Sequence, residues 1–159
     1  MLFNICKIGG LSELGHHVYS NHTNILVQHR GQKPPTNFMK YNVDAALFQE
    51  DNEFGFAACI RNSEGVFMSV ISSWFQGIRK PQEAESYAVL STLQWISDLQ
   101  LTNFIIETDC KAIPDDIHSK RFHELEASRI LCICAKKICN LHNCRIQFVS
   151  REANQVAHD

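Results

Sequence analysis

The sequence MKYNVDAALF at residues 39–48 decides where the fold begins. Apolar side chains at positions 39, 41 and 43 alternate with polar side chains at positions 40, 42 and 44. A period of two predicts a β-strand, because successive side chains of a strand point to opposite faces of the sheet. Asp44 is therefore expected on the face opposite Val43.

Two more apolar runs follow this strand, at residues 54–61 and 66–75, and a turn that ends in Gly65 separates them. This arrangement predicts a β-hairpin, so the first three strands form an antiparallel meander. Residues 82–99 contain no Gly or Pro and carry apolar residues at helical spacing, which predicts a deeply packed helix.

The second half of the sequence alternates strands and helices. Residues 104–109 are rich in β-branched residues and predict a buried strand that leads into a helix near Cys110. Residues 123–140 predict another helix, residues 145–149 a strand, and residues 150–159 the beginning of a last element. The order β-β-β-α-β-α-α-β is typical of an α/β domain with a mixed sheet and helices on its faces.

The length of 159 residues fits one domain, and 45% hydrophobic with 20% charged residues is ordinary for a globular protein. Residues 1–35, which end at a Pro34-Pro35 pair, are expected to be irregular, and residues 36–159 to form the domain. The net charge of -2 gives no overall attraction for a polyanion, so any nucleic-acid contact requires a local patch.

The sequence carries no secretory signal pattern and no run of about 18 apolar residues that could span a bilayer. Seven cysteines, an odd number, argue against a disulfide framework and favour a reducing compartment. We expect an intracellular protein, nuclear or cytoplasmic, that is not secreted and has no membrane partner.

Three acids occupy positions that can converge. Asp44 is in the first strand, Glu85 in the first turn of the first long helix, and Asp109 at the end of the fourth strand. Clustered carboxylates repel one another unless a cation neutralises them or one stays protonated, and hard oxygen ligands suit Mg²⁺ or Mn²⁺. Each acid alone also fits an ordinary role, as a strand polar residue, a helix-dipole partner or an N-cap.

Five stretches of the sequence resemble, in order and spacing, the motifs of the plant reverse-transcriptase-like RNase H domain family. This family is RNase H type 1-like and belongs to the ribonuclease H-like superfamily. It is common in retroelement-derived plant genes. The resemblance begins near Lys33 and runs to Asp159. It implies a ribonuclease H-like fold with a five-stranded mixed sheet, three antiparallel strands followed by parallel ones, and helices on both faces. The stretches are Lys40–Ala45, Ala57–Gly65, Glu83–Ala88, Ile106–Asp109 and Val149–His158.

By this resemblance, Asp44, Glu85 and Asp109 correspond to the family's metal ligands. The fourth acidic position of the family holds His158, and Asp159 lies one residue later. The predicted catalytic residues are thus the first three acids with His158, and the predicted metal ligands are the same acids with Asp159.

Two further features separate this sequence from active family members. Phe148 stands six residues before Asn154, where active RNases H have a histidine, and the sequence ends before the last helix of the family would be complete. Catalysis could therefore be weakened or lost.

The resemblance implies an RNA/DNA-hybrid ribonuclease that cleaves RNA with two Mg²⁺ or Mn²⁺ ions, acts as a monomer, and recognises the hybrid by its groove shape and 2′-hydroxyls. A catalytically impaired nucleic-acid-binding module, or a retroelement-derived fragment with the same fold, is the alternative. A protein-interaction domain is a third possibility.

Other residues admit both functional and structural interpretations. The spacing of the Cys and His residues at 132–144 matches no zinc motif, which favours structural cysteines. Trp74 and Trp95 lie in apolar runs and are predicted in the core. Candidate phosphate contacts, which could equally be ordinary surface charge, are Arg79, Lys80, Lys111, Lys120 and Arg121.

Overall fold

In the computed structural model, which describes residues 4–6, 32–77, 79–122 and 125–154, a mixed β-sheet forms the centre of the fold. Its strands are β1 (Asn4–Cys6), β2 (Met39–Phe48), β3 (Glu53–Arg61), β4 (Phe67–Gln76), β5 (Phe104–Thr108) and β6 (Cys144–Phe148). Their order across the sheet is β1-β4-β3-β2-β5-β6. β2, β3 and β4 form the antiparallel meander, and β2, β5 and β6 pair in parallel.

The helices are α1 (Pro81–Asp98), α2 (Ala112–Ser119), α3 (Glu126–Asn140) and α4 (Arg151–Asn154). The predicted element order is confirmed from the first long strand onward. One strand was not predicted: β1 pairs antiparallel with β4 at the sheet edge, although the sequence predicts residues 1–35 to be irregular. The pairing partner lies about 65 residues away in sequence, and a three-residue strand has too few side chains to show a period.

The main core lies between one face of the sheet and α1 with α3. Tyr41 and Val43 of β2 are 0% exposed, as the predicted alternation requires. The Tyr41 ring contacts Trp95 of α1 and Phe104 of β5, each in an edge-to-face arrangement with ring centroids 6.0 Å apart. This packing fixes α1 across β2, and α1 carries one of the three acids.

The two tryptophans have different environments. Trp95 is 7% exposed, so its predicted core position is confirmed, whereas Trp74 is 62% exposed and the prediction for it is wrong. Strand alternation explains the difference, because the next residue, Phe75, points inward and stacks on Phe54 with ring centroids 5.0 Å apart. Trp74 therefore lies on the outer face of β4.

The cysteines also divide. Cys59 and Cys134 are buried, Cys139 near the end of α3 is exposed, and the exposure of three others is intermediate: Cys110, Cys132 and Cys144. None of the described helices is long and apolar enough to cross a membrane.

Candidate metal centre

The strand pairing brings Asp44 and Asp109 next to each other at the neighbouring strands β2 and β5. β2 and β5 run parallel with Val43 opposite Thr108, so the acids that follow these residues lie side by side. Asp44 points to the sheet face opposite Tyr41 and Val43, and Asp109 comes directly after the last residue of β5. The carboxyl ends of parallel strands are a common location of ligand sites in α/β folds.

Glu85 reaches the two aspartates from α1. Pro81 occupies the first turn, where its missing N–H is not needed and its fixed φ favours the start of a helix. Because the helix begins there, Glu85 is its fifth residue and lies in the second turn rather than the first. The Ala45 N–H donates to Glu85 Oε1 at 3.4 Å, which ties the helix to β2 immediately after Asp44.

The three predicted acids form one cluster. Asp44, Glu85 and Asp109 each offer a carboxylate oxygen, and these oxygens lie within 4.8 Å of one another. Asp44 is 9% exposed and the Asp109 side chain 17%, and Arg151 Nε lies 3.9 Å from Asp109 Oδ2. Within the described ranges, it is the only group of three or more acidic, Cys or His side chains with such spacing.

The electrostatics of the cluster act most strongly on Glu85. Burial, followed by the negative charges of Asp44 and Asp109, raises the pKa of Glu85 to about 8. Its Oε2 atom is buried without a hydrogen-bond partner in the part of the chain that the structure describes. Near neutral pH the cluster therefore retains a proton on Glu85 or exchanges that proton for a cation.

The donor set fits a hard divalent cation. Three carboxylates supply only oxygen ligands, which suits Mg²⁺ or Mn²⁺ better than a soft metal. His158 and Asp159, the other predicted site residues, lie outside the described residues, so their roles stay predictions.

The other candidate groups do not form comparable sites. The Cys and His residues near the end of α3 give no metal-binding group among the residues described, and burial raises the pKa of the Cys134 and Cys144 thiols to about 12. Such thiols stay protonated and bind metal poorly. Of these cysteines, Cys134 is buried, as a structural role predicts, whereas Cys132 and Cys144 are partly exposed and Cys139 is exposed.

Among the candidate phosphate contacts, Arg79 is held by aromatic rings. Its guanidinium carbon lies 5.8 Å from the Phe54 ring centroid and 5.1 Å from that of Tyr87, which indicates a packing role. The remaining four are exposed and keep either interpretation: Lys80, Lys111, Lys120 and Arg121.

Sequence patterns did not indicate a buried polar network beside the acids. Glu107, 2% exposed, accepts hydrogen bonds from Asn42 Nδ2 and Gln147 Nε2, both at 2.9 Å, and pairs with Lys40 Nζ at 3.2 Å. Asn154 of α4 joins the network through Asn42. The available signal was the alternation of polar residues in β2, which by itself indicates a solvated face.

A mixed sheet of this order, with Asp44 in β2, Asp109 directly after β5 and Glu85 on α1, is typical of the ribonuclease H-like class. Solved RNase H structures match it. RNase H1 of Halobacterium salinarum NRC-1 aligns with a TM-score of 0.66 at 14% identity, over 77% of this chain and 92% of that one. LC11-RNase H1, solved with an RNA/DNA hybrid, aligns with a TM-score of 0.63 at 15% identity, over 76% and 90%.

The N-terminal RNase H domain of a Mycobacterium tuberculosis protein, solved as a fusion with maltose-binding protein, aligns with a TM-score of 0.61 at 15% identity, over 76% of this chain and 87% of that one. These likenesses confirm the predicted ribonuclease H-like fold. No curated protein sequence matches this chain significantly. The family model described as "Reverse transcriptase-like" matches residues 42–159, and the chain belongs to that family.

Proposed function

We propose that this protein is a metal-dependent ribonuclease that cleaves the RNA strand of an RNA/DNA hybrid. The convergence of Asp44, Glu85 and Asp109 within 4.8 Å, predicted from three distant sequence positions, is the observation that supports it. The family match and the fold agree with a nuclease.

In this proposal the three carboxylates hold two Mg²⁺ or Mn²⁺ ions, with His158 or Asp159 assisting at the second. Bound there, such ions would supply the activation of a water and the stabilisation of the leaving oxygen that phosphodiester hydrolysis needs. The protein contributes alignment: the Ala45 N–H fixes Glu85, and the parallel pairing of β2 with β5 sets the distance between the two aspartates.

The hybrid is the proposed substrate class. LC11-RNase H1 was solved with an RNA/DNA hybrid, and the foamy viral protease-reverse transcriptase was solved with double-stranded DNA. Recognition through groove shape and 2′-hydroxyls requires no contact with base edges, so we expect cleavage without sequence preference.

The test incubates the purified full chain with a hybrid labelled on the RNA strand, in Mg²⁺ and separately in Mn²⁺. We expect RNA cleavage by the wild type, no cleavage by Asp109→Asn, and no cleavage of double-stranded DNA. Asp115→Asn serves as the matched control, because Asp115 is an exposed acid on α2 outside the cluster. Equal activity of Asp109→Asn and wild type would refute the mechanism.

The alternative is a nucleic-acid-binding module without catalysis. Phe148, 46% exposed at the position where active family members have histidine, is the observation that favours it. Hybrid binding without cleavage at saturating Mn²⁺ would support this alternative. Binding of neither metal nor hybrid would leave a protein-interaction domain.

A further inference from the structure

The polar network on the outer face of β2 has a defined direction. Each Asn42 Nδ2 hydrogen has its own acceptor: Glu107 Oε2 at 2.9 Å and Asn154 Oδ1 at 3.1 Å. The amide nitrogen of Asn154 in turn donates to the Val43 carbonyl at 3.0 Å. Because Asn42 donates both of its amide hydrogens and Asn154 both accepts and donates, these hydrogen bonds fix the orientation of both side chains.

The network is also closed to solvent. Asn42 is 3% exposed, Glu107 and Asn154 are each 2% exposed, and Lys40 is 5% exposed. Lys40 Nζ contacts Glu107 and also donates to the Gln32 carbonyl at 2.6 Å. Moving or removing any one member would leave buried polar atoms unpaired. The side chains of the network are therefore held in one arrangement.

The short helix α4 is attached beside the two aspartates at three points. Before the helix, the Val149 N–H donates at 3.0 Å to the carbonyl of Thr108, the residue preceding Asp109. At its first residue, Arg151 lies near Asp109, and at its last residue Asn154 reaches the carbonyl that precedes Asp44. α4 thus lies beside the middle of β2 and the end of β5, close to the two aspartates.

We propose that Asn154, held by Asn42 and Glu107, is a positioning residue that fixes α4 against the metal centre and so sets the geometry of the bound ions. The inference rests on the proposed metal-dependent function. It extends that function to a second layer of residues, because outer hydrogen-bond partners that orient metal ligands typically matter about 10- to 100-fold in metal affinity or activity.

The experiment compares Asn154→Ala with the control Thr92→Ala in the full chain. Thr92 is 0% exposed and donates to the Ala88 carbonyl on α1, so its loss also removes one buried hydrogen bond, but away from α4. For Asn154→Ala we expect Mn²⁺ affinity by titration calorimetry, or kcat on the hybrid, to fall roughly 10-fold or more with little change in KM. Thr92→Ala should lower the melting temperature without either change.

Two more variants test the same network. The double variant Asn42→Ala/Asn154→Ala should lose less than the sum of the two single losses, because the Asn42–Asn154 hydrogen bond is removed by either substitution. Gln147→Ala, at an exposed position, keeps the test open if Asn154→Ala does not fold, and we expect it to lose roughly threefold in kcat.

The possible failures are distinguishable. If the wild type binds Mn²⁺ and cleaves while Asn154→Ala and Gln147→Ala do both equally well, the positioning role is refuted and the proposed function stands. If the wild type neither binds Mn²⁺ nor cleaves the hybrid, the proposed function fails and the positioning role fails with it.

Discussion

Replacing Glu85 by glutamine should stabilise the metal-free protein at alkaline pH and remove its response to metal. The pKa of Glu85 is raised to about 8, first by burial and then by the charges of Asp44 and Asp109. Glutamine has nearly the same shape and cannot ionise. The substitution therefore removes the unfavourable charge while leaving the packing of α1 on β2 almost unchanged.

The size of the effect follows from the pKa. At about 1.4 kcal/mol per pKa unit, the rise from 4.5 to about 8 corresponds to nearly 5 kcal/mol against the ionised form in the folded state. Rotation of the side chain toward water relieves part of this penalty, so we expect a gain of about 2 kcal/mol in the free energy of unfolding above pH 8, or about 4–8 °C in Tm.

The pH dependence has a definite sign. Between pH 4.5 and about 8 the folded state keeps the Glu85 proton that the unfolded state has lost, so the stability of the wild type falls as pH rises through this window. The gain from Glu85→Gln should be absent below pH 4.5 and complete above pH 8. In Mg²⁺ the order should reverse, because a cation replaces the proton only in the wild type.

Thermal unfolding from pH 4 to 9, in EDTA and in Mg²⁺, measures both effects. Glu83→Gln is the matched control, since Glu83 lies on the same helix outside the cluster, and it should keep the pH slope of the wild type. A Glu85→Gln protein that is less stable than wild type in EDTA at pH 8.5, or that still gains stability from Mg²⁺, would refute the reasoning.

Two predictions concern the aromatic side chains of the sheet and of α1. Tyr41→Phe should raise the free energy of unfolding by about 1 kcal/mol in urea titrations, because the Tyr41 hydroxyl is buried without a hydrogen-bond partner among the described residues; a loss of that size would show that the hydroxyl has a partner. In the same assay, Trp74→Ser should change the free energy of unfolding by no more than about 0.5 kcal/mol, because Trp74 is 62% exposed. Trp95→Ala should lower it by about 3–5 kcal/mol, because Trp95 is 7% exposed. Equal losses for the two variants would contradict the different environments of the two rings.

The sequence was sufficient to predict the element order and the meeting of the three acids. Both depend on local patterns: the period-two alternation of β2, the helical spacing in α1, and the rule that parallel strands end at one edge. Asp44 follows from its place on the polar side of the first strand, Asp109 from the end of the fourth predicted strand, and Glu85 from a position near the start of a helix. The family resemblance also assigns Glu85 as the helix acid.

The burial of the polar face of β2 could not be predicted in the same way. Lys40 and Asn42 alternate with apolar residues, a pattern typical of a strand with one solvated face. Their burial depends on contacts with Glu107 and Asn154, which lie 65 and 112 residues from Asn42 in sequence. Such contacts depend on strand register and on the position of α4, and neither can be read from a local period.

The buried acids Glu107 and Glu85 differ in whether their surroundings compensate for burial, and this difference supports a functional site at Glu85. Glu107 accepts hydrogen bonds from two amides and pairs with Lys40, so its burial is compensated. Glu85 faces two other acids, and burial together with their charges raises its pKa, a cost that the Ala45 N–H offsets only in part and that glutamine would avoid. Packing alone gives no reason for a third carboxyl at this position, whereas binding of a divalent cation does, since the cation neutralises the same charges that destabilise the empty cluster.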